Sequence, residues 1–141
     1  MSGLAFAPET MIRRGAVWTM AVNRNQDLLG KTMIVLERPC SAVIDLHPSE
    51  WADLHAELRQ LVPALTRRFA PDQFNFAFLM NQDAQVHLHV IPRYRSQRTW
   101  QGRIFDDPNW GSATGQEQRC LPLDALAELA QEISAELYSG C

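Results

Sequence analysis

The chain has 141 residues, a length that suits one compact domain. Its composition is 46% hydrophobic and 21% charged, which is typical of a globular protein and excludes the disordered class. A formal net charge of −3 argues against a general nucleic-acid-binding protein, and no apolar run approaches the roughly 20 residues that span a bilayer. We therefore expect neither a nucleic acid polymer nor a membrane among its partners.

The first half of the chain predicts two strands and a long helix. The apolar segments 15–22 and 31–37 are separated by the turn-forming segment 23–27, which favours an antiparallel hairpin. Pro48 suits the first position of a helix that we expect to end near Phe69, and Pro63 is a potential kink inside it. One apolar stripe at helical spacing supports this helix: Trp51, Leu54, Leu58, Leu61, Val62, Leu65 and Phe69.

The second half predicts two more strands, at 75–80 and 85–94, joined by a tight turn at 81–83. Periodicity disappears over 96–120, which predicts a long ordered loop of the kind that is usually functional or covers a neighbouring surface. A final helix is expected over 121–138, with its apolar face formed by Leu126, Leu129, Ile133 and Leu137. This order of elements predicts an α+β fold with an antiparallel sheet, in one domain over 1–141 with its core at 15–95.

The segment Q-V-H-L-H-V-I at 85–91 is the most distinctive stretch of the sequence. Side chains alternate between the two faces of a strand, so Gln85, His87 and His89 are expected to share one face. The aliphatic residues between them would then share the other face.

Three interpretations of this polar row are open. It is either the exposed side of an ordinary strand, part of a metal site, or a nucleophilic device. Two histidines at this spacing can bind zinc or iron, but a metal site needs a third ligand. His47 is more easily explained as a residue at a helix start, and His55 as a packed histidine beside the apolar stripe. A bound metal is therefore not expected.

The nucleophilic interpretation concerns chemistry at phosphorus. A neutral imidazole attacks a phosphoryl centre through one nitrogen while the other nitrogen, held as N–H by an acceptor, fixes the tautomer. The reaction also needs donors for the phosphate oxygens and the leaving group. A strand that carries a nucleophile and a donor two residues apart supplies both from a rigid platform.

The segment Q-V-H-L-H-V-I-P-R-Y resembles the motif of the histidine triad (HIT) family, in which three histidines alternate with hydrophobic residues. The similarity runs from about Val17 to Tyr94 and includes Ala21-Val-Asn-Arg24, Leu29-Gly30, Met33-Ile-Val-Leu36, Arg38-Pro39 and Asp45-Leu46. The resemblance implies a HIT-like fold with an antiparallel sheet of about five strands, one long helix and a C-terminal helix. It also implies a homodimer.

The same resemblance implies a nucleotide hydrolase or nucleotidyl transferase, similar to diadenosine polyphosphate hydrolases and independent of any cofactor. The substrate would be a dinucleoside polyphosphate or a nucleoside phosphoramidate, attacked at its α-phosphate to give a covalent nucleotidyl-histidine. His87 matches the nucleophile, and His89 matches the donor to the phosphate or leaving group. Asn23 matches an asparagine near the ribose, and Asn81 and Gln82 lie where the family places phosphate-contacting residues.

The chain departs from the family pattern at two places. Gln85 stands where the first histidine is expected, and an amide donates and accepts hydrogen bonds but does not titrate. Its expected role is to orient the phosphate or a neighbouring imidazole. The turn at 81–84 lacks the serine or threonine of many family members, so either Asn81 and Gln82 replace it or the phosphate is held less tightly. A nucleotide-binding module without turnover and an H-x-H metalloprotein therefore remain as alternatives.

Two further groups of residues bear on location and ligand. Cys40, Cys120 and Cys141 lie far apart in sequence, which together with the absence of a secretory signal predicts free thiols in the cytoplasm. Four arginines follow the motif and form either a solvated surface or a positive field that attracts polyphosphate: Arg93, Arg95, Arg98 and Arg103. Trp100, Phe105 and Trp110 lie in the same stretch, where they either form a lid or contact a base, or else seal the sheet edge or a dimer contact; the pattern leaves these alternatives open.

Overall fold

The computed structural model describes residues 7–115 and 117–139, with the side chains of 138 and 139 left out. One antiparallel sheet of five strands has the order β1-β2-β3-β5-β4. Its strands are β1 (Met11–Arg13), β2 (Trp18–Val22), β3 (Thr32–Leu36), β4 (Gln73–Ala77) and β5 (His87–Arg93). Two helices complete the main architecture: α1 (Pro48–Phe69) and α2 (Leu123–Ser139). The expected α+β fold is confirmed.

Both predicted hairpins are present. Strand β2 pairs antiparallel with β3 from Trp18 opposite Leu36 to Val22 opposite Thr32. Strand β4 pairs antiparallel with β5, which also pairs with β3 and so lies inside the sheet. The expected alternation along β5 is confirmed, because Val86, Leu88 and Val90 belong to the hydrophobic core.

The helices pack on the face of the sheet that carries those aliphatic residues. Leu54, Leu61 and Leu65 of α1 and all four residues of the predicted α2 stripe are buried in the same core. The stripe of α1 is shorter than expected, since Trp51 is 43% exposed at its start. His55 is also exposed and is not the packed histidine that we expected. The opposite face of the sheet is therefore free of helices and carries the polar row.

Helix α1 starts at Pro48, as predicted. The carboxylate of Glu50 accepts a hydrogen bond from the backbone N–H of His47 (2.7 Å), which satisfies a donor that the first turn leaves without a partner. The helix runs through Pro63 and ends at Phe69, and the next residue, Ala70, adopts the left-handed backbone conformation (φ 49°). Arg98 donates to the carbonyl oxygens of Phe69 and Ala70 and so caps this end.

The structure differs from the predicted elements at three places. Strand β4 ends at Ala77 and β5 begins at His87, so the connection is longer than the expected turn at 81–83. The segment 96–120 is not free of strands, because β6 (Arg98–Trp100) and β7 (Arg103–Phe105) form a small hairpin. Strand β1 has three residues and was not predicted, because so short a segment shows no alternation.

Within the described part of the chain, neither helix has the length and the apolar character that crossing a membrane requires. Cys40 is half-buried and Cys120 is exposed, and both are free thiols, while Cys141 lies outside the described residues.

Candidate active site

The two histidines of the motif lie side by side in the middle of the sheet, on the face opposite the helices. His87 is opposite Val35, and His89 is opposite Met33 on one side and Ala77 on the other. His87 is 5% exposed, whereas His89 is half-buried. Strand β5 is paired on both sides, which fixes the backbones of both residues, so the two rings are held by a rigid support.

The hydrogen bonds of His87 define its tautomer. Its Nδ1 lies 2.7 Å from the backbone carbonyl oxygen of Gln85. A carbonyl only accepts, so Nδ1 carries the hydrogen and Nε2 of the neutral ring carries a lone pair. That Nε2 lies 3.2 Å from Nε2 of His89. His89 is therefore the donor of this second bond, and the two rings meet edge to face with their planes at 71°.

The electrostatic environment keeps His89 neutral. Burial, the nearby His87 and the positive charge of Lys31 together lower the pKa of its imidazole to about 4, with burial the largest of the three causes. At neutral pH the ring thus carries one N–H, in agreement with its role as donor to His87. That N–H can turn to an oxygen atom of a bound ligand.

Gln85 is buried, and its side chain contacts backbone. Its amide nitrogen donates to the carbonyl oxygens of Leu36 (2.7 Å) and Arg38 (2.8 Å), and its amide oxygen accepts from the N–H of Cys40 (3.1 Å). These three bonds hold the segment that follows β3, and we call them the Gln85 clamp. A histidine offers two ring nitrogens and cannot donate twice while accepting once. The imidazole of His87 contacts the backbone of Gln85 and not its amide.

The turn residues that we expected near phosphate lie at the protein surface. Gln82 lines a cleft of about 590 Å³, which also touches Gln85 and the segment 39–41. Asn81 is exposed and lies outside this cleft. The structure thus brings Gln82, but not Asn81, next to the start of the motif.

Asn23 lies directly after β2, on the histidine face of the sheet. Its backbone N–H donates to the carbonyl oxygen of Lys31 (3.0 Å), and its side-chain oxygen accepts from the N–H of Asn25 (3.0 Å). The amide N–H groups of its side chain make no hydrogen bond with any described residue. They are free to bind a ligand.

Sequence reasoning did not identify Lys31 as a residue of the site. Lys31 precedes Thr32, whose partner on β5 is Val90, so the lysine lies diagonally next to His89 on the same face. Its ammonium group is 2.7 Å from a carboxylate oxygen of Asp27, and both side chains are largely buried. Met33 is opposite His89, and Lys31 lies two residues before Met33, so both point to the same face of the sheet. This spacing was the signal that Lys31 belongs to the site.

The four arginines do not form a common positive field. Arg93 is 3% exposed and forms a buried ion pair with Asp107, and Arg98 caps α1. The guanidinium of Arg95 lies 5.2 Å from the ring centre of Trp110. Arg93 therefore belongs neither to a solvated surface nor to a free positive patch, which were the two alternatives expected from the sequence.

A metal site was one of the open interpretations. Among residues 7–115 and 117–139, no group of three or more histidine, cysteine, aspartate or glutamate side chains is placed to hold a metal ion. The histidine pair stands without a third ligand of these types in that part of the chain.

No model of a known protein family matches the sequence. Among solved structures, the chain is similar to a histidine triad protein from Bradyrhizobium japonicum, with 21% identity, a TM-score of 0.68 and coverage of 94% of this chain and 97% of that one. It is similar to the diadenosine triphosphate hydrolase of Plasmodium falciparum, solved with cyclomarin A, with 14% identity, a TM-score of 0.74 and coverage of 98% and 82%. A zinc-bound histidine triad family protein from Mycobacterium smegmatis matches with 18% identity, a TM-score of 0.67 and coverage of 96% and 90%.

These similarities extend over nearly the whole chain at low identity. They establish that the chain has the histidine triad fold, and the five-stranded sheet of this chain carries H-x-H on its inner strand β5. The fold alone does not determine what this chain binds or which reaction it performs.

Proposed function

We propose that the protein is a histidine triad nucleotide hydrolase or nucleotidyl transferase that acts on an α-phosphate through His87. One observation carries this proposal: Nδ1–H of His87 is tethered to the carbonyl oxygen of Gln85, so the lone pair on Nε2 is directed away from the tether. This is the tautomer and orientation that a nucleophilic imidazole requires.

The proposed reaction has two displacements. A phosphate oxygen of the substrate first replaces Nε2 of His87 as the acceptor of the hydrogen bond from His89. The lone pair on Nε2 of His87 is then free, and it attacks the α-phosphorus. An N–P bond forms while the bond from phosphorus to the leaving group breaks, and His89 donates a hydrogen bond to the departing atom or to a phosphate oxygen. Water then breaks the N–P bond and releases the nucleotide. The carbonyl oxygen of Gln85 stabilises the positive charge that the ring carries in the intermediate.

Other residues of the site have supporting roles in this proposal. Asn23 offers free amide N–H groups to the ribose, and Gln82 offers an amide to the phosphate. Gln85 is a positioning residue, because its clamp holds the segment 36–40 against the start of the motif. Lys31 adds a positive charge near the phosphate, partly neutralised by Asp27.

A rapid-quench experiment with intact-mass analysis tests the proposal. During turnover of a labelled dinucleoside polyphosphate or nucleoside phosphoramidate, we expect the mass of one nucleotidyl group on the protein. His87→Ala should lose both the adduct and hydrolysis, and the exposed His55→Ala serves as the matched control with wild-type behaviour. An unmodified protein during turnover, or full hydrolysis by His87→Ala, would contradict the mechanism.

Two alternatives predict different results. A nucleotide-binding module would bind the substrate tightly and release no product, and the non-titrating Gln85 motivates this candidate. A metalloprotein would contain stoichiometric zinc or iron that is lost in His89→Ala, which elemental analysis detects.

The proposal includes a homodimer. Strand β4 forms one edge of the sheet, and exposed apolar side chains lie close to it: Trp51 (43% exposed), Phe76 (49%) and Leu79 (50%). The ring of Trp51 meets that of Phe78 edge to face, which joins the helix to the segment after β4. An open edge beside an apolar patch is suited to pairing with a second copy. Phe76→Glu should shift the protein from dimer to monomer in light scattering, whereas Ile104→Glu, an exposed site on β7, should not.

The proposal also places the protein in the cytoplasm. Its support is the free state of Cys40 and Cys120. Measurement of reactive thiols in protein freshly isolated from cells tests this location, and a disulfide between them would contradict it.

A further inference from the structure

A second cleft lies on the histidine face of the sheet, farther along β4 and β5. It has a volume of about 390 Å³ and is bounded by Gln73 and Asn75 of β4, by Arg93 of β5 and by the loop residues 110–113. We call it the Trp110 cleft, after the indole ring on its rim, which is 36% exposed. The function proposed above does not use this cleft.

Strand register places the cleft in line with the proposed reaction. Ala77 is opposite His89, Asn75 is opposite Ile91 and Gln73 is opposite Arg93, so these side chains point to one face. The cleft therefore begins two residues beyond His89 along β5, or about 7 Å. Asn23 follows β2 and Asn75 lies on β4, with β3 and β5 between them. Three strand spacings separate the two residues, which is about 14 Å. A ligand whose reacting phosphate lies at His87 can reach both.

Arg93 makes the cleft rigid. Its Nε and Nη2 donate to the two carboxylate oxygens of Asp107 (2.7 and 3.0 Å), and Nη1 donates to the side-chain oxygen of Asn75 (2.7 Å). The remaining two N–H groups donate to the carbonyl oxygens of Asn109 (2.9 Å) and Ser112 (2.8 Å). All five donors of the guanidinium are thus used, and they fasten the loop wall to the strand wall. The amide N–H groups of Asn75 make no hydrogen bond with any described residue.

The chemistry of the lining selects a neutral ligand. None of the described residues that line the cleft carries a carboxylate, so a cationic amine finds no partner among them. The cation of the lining, Arg93, has no donor left for a bare phosphate. The guanidinium of Arg95 lies outside the lining and covers one face of the Trp110 ring, 5.2 Å from its centre, so a ligand meets the other face. What remains is a set of amide groups and one aromatic ring, which suit a planar, uncharged group with hydrogen-bonding edges.

We infer that the Trp110 cleft binds the leaving side of the substrate, and that the group it takes is a second nucleoside. The substrate is then a dinucleoside polyphosphate and not a phosphoramidate with an amine leaving group. This inference rests on the proposed function for the position of the reacting phosphate. Trp110 stacks on the base, and Asn75 donates to it or to its ribose.

The test compares two substrates that are identical except for the second nucleoside: diadenosine tetraphosphate and adenosine 5′-tetraphosphate. Trp110→Ala should lower kcat/KM for the dinucleoside about tenfold, because the stacking contact is lost. The same variant should leave kcat/KM for the mononucleoside unchanged. Ala113→Trp, which fills the cleft from its exposed rim, should have the same selective effect. Ile104→Ala, an exposed apolar residue outside the cleft, should change neither value.

An equal loss with both substrates, or no loss with the dinucleoside, would overturn the inference while leaving the chemistry of His87 intact. Equilibrium binding of the two compounds to His87→Ala protein separates the cleft from catalysis. The dinucleoside should bind about tenfold more tightly, and Trp110→Ala should abolish the difference. Equal affinities would overturn the inference even where no turnover is measured.

Discussion

The Nδ1 atom of His87 lies 2.7 Å from the backbone carbonyl oxygen of Gln85, two residues earlier in the chain. The tether is thus built from main chain and needs no particular side chain at position 85. The side chain of Gln85 instead binds the segment after β3 with three hydrogen bonds. The backbone of Gln85 thus holds His87, and its side chain holds the segment after β3. A substitution at position 85 should therefore affect the segment and leave the tether in place.

Gln85→Ala should destabilise the protein by about 2–4 kcal/mol, because the buried carbonyl of Leu36 and the partly buried carbonyl of Arg38 and N–H of Cys40 lose their partner. The nucleotidyl adduct on His87 should still form, with kcat reduced and KM changed little, since the amide does not touch substrate. Urea denaturation and single-turnover kinetics measure the two effects. A large rise in KM with unchanged stability would show instead that the amide binds substrate.

His89 should make the protein sensitive to mild acid. Its pKa is about 4 in the folded protein against 6.5 for the free side chain, so the unfolded chain takes up a proton first as pH falls. Stability should therefore decrease between pH 6.5 and 4 and receive no further contribution below that range. His89→Gln should flatten this part of a plot of Tm against pH.

The matched control for that measurement is His55→Gln on the exposed surface of α1, which should leave the profile unchanged. A wild-type profile that is already flat between pH 6.5 and 4 would contradict the assignment of a neutral His89.

Glu50 should act in a lower pH range. A bidentate bond from Arg38 and the backbone N–H of His47 lower the pKa of its carboxyl to about 2. The stability that this provides is fully present above pH 4.5, the ordinary value, and is lost as pH falls through about 2. Glu50→Gln should be less stable at pH 7 and should lose this acid-dependent step, as measured by thermal unfolding. Glu128→Gln, an exposed residue of α2, should retain it.

The ion pair of Arg93 and Asp107 should matter more than surface pairs. Asp107→Asn leaves a buried guanidinium without its counter-charge, which costs about 3–5 kcal/mol in comparable cases. We expect that loss in urea denaturation, together with faster proteolytic cleavage in the segment 107–113. Asp106→Asn, which changes the exposed neighbouring residue, is the control and should neither lower the stability nor speed the cleavage. Equal effects of the two variants would argue against a buried ion pair.

Periodic segments of the sequence were sufficient to predict much of this fold. The spacing of leucines in α1 and α2 and the alternation in β5 correspond to faces of these elements in the structure, and the apolar segments predicted as strands correspond to β2 and β3, which are almost entirely buried. The positions of His87 and His89 followed from the same alternation. Local patterns of this kind carry information over a few residues only.

Contacts between distant residues could not be predicted in this way. The bond of Gln85 to Leu36 spans 49 residues, and the pair of Arg93 and Asp107 joins a strand to a loop without periodicity. Lys31 was overlooked because its proximity to His89 depends on the register between β3 and β5, which the sequence does not show. The hairpin β6–β7 was missed because each of its strands has three residues.

The Gln85 clamp consists solely of amide groups, and the acceptor of the tether on His87 is also a backbone amide carbonyl. Amides neither take up nor release protons under conditions in which proteins remain folded, so acid or base cannot loosen the nucleophile's mounting. A pH–rate profile for the first displacement will consequently report on the ionisable side chains of the site and on the substrate, without a contribution from the scaffold that aims the imidazoles.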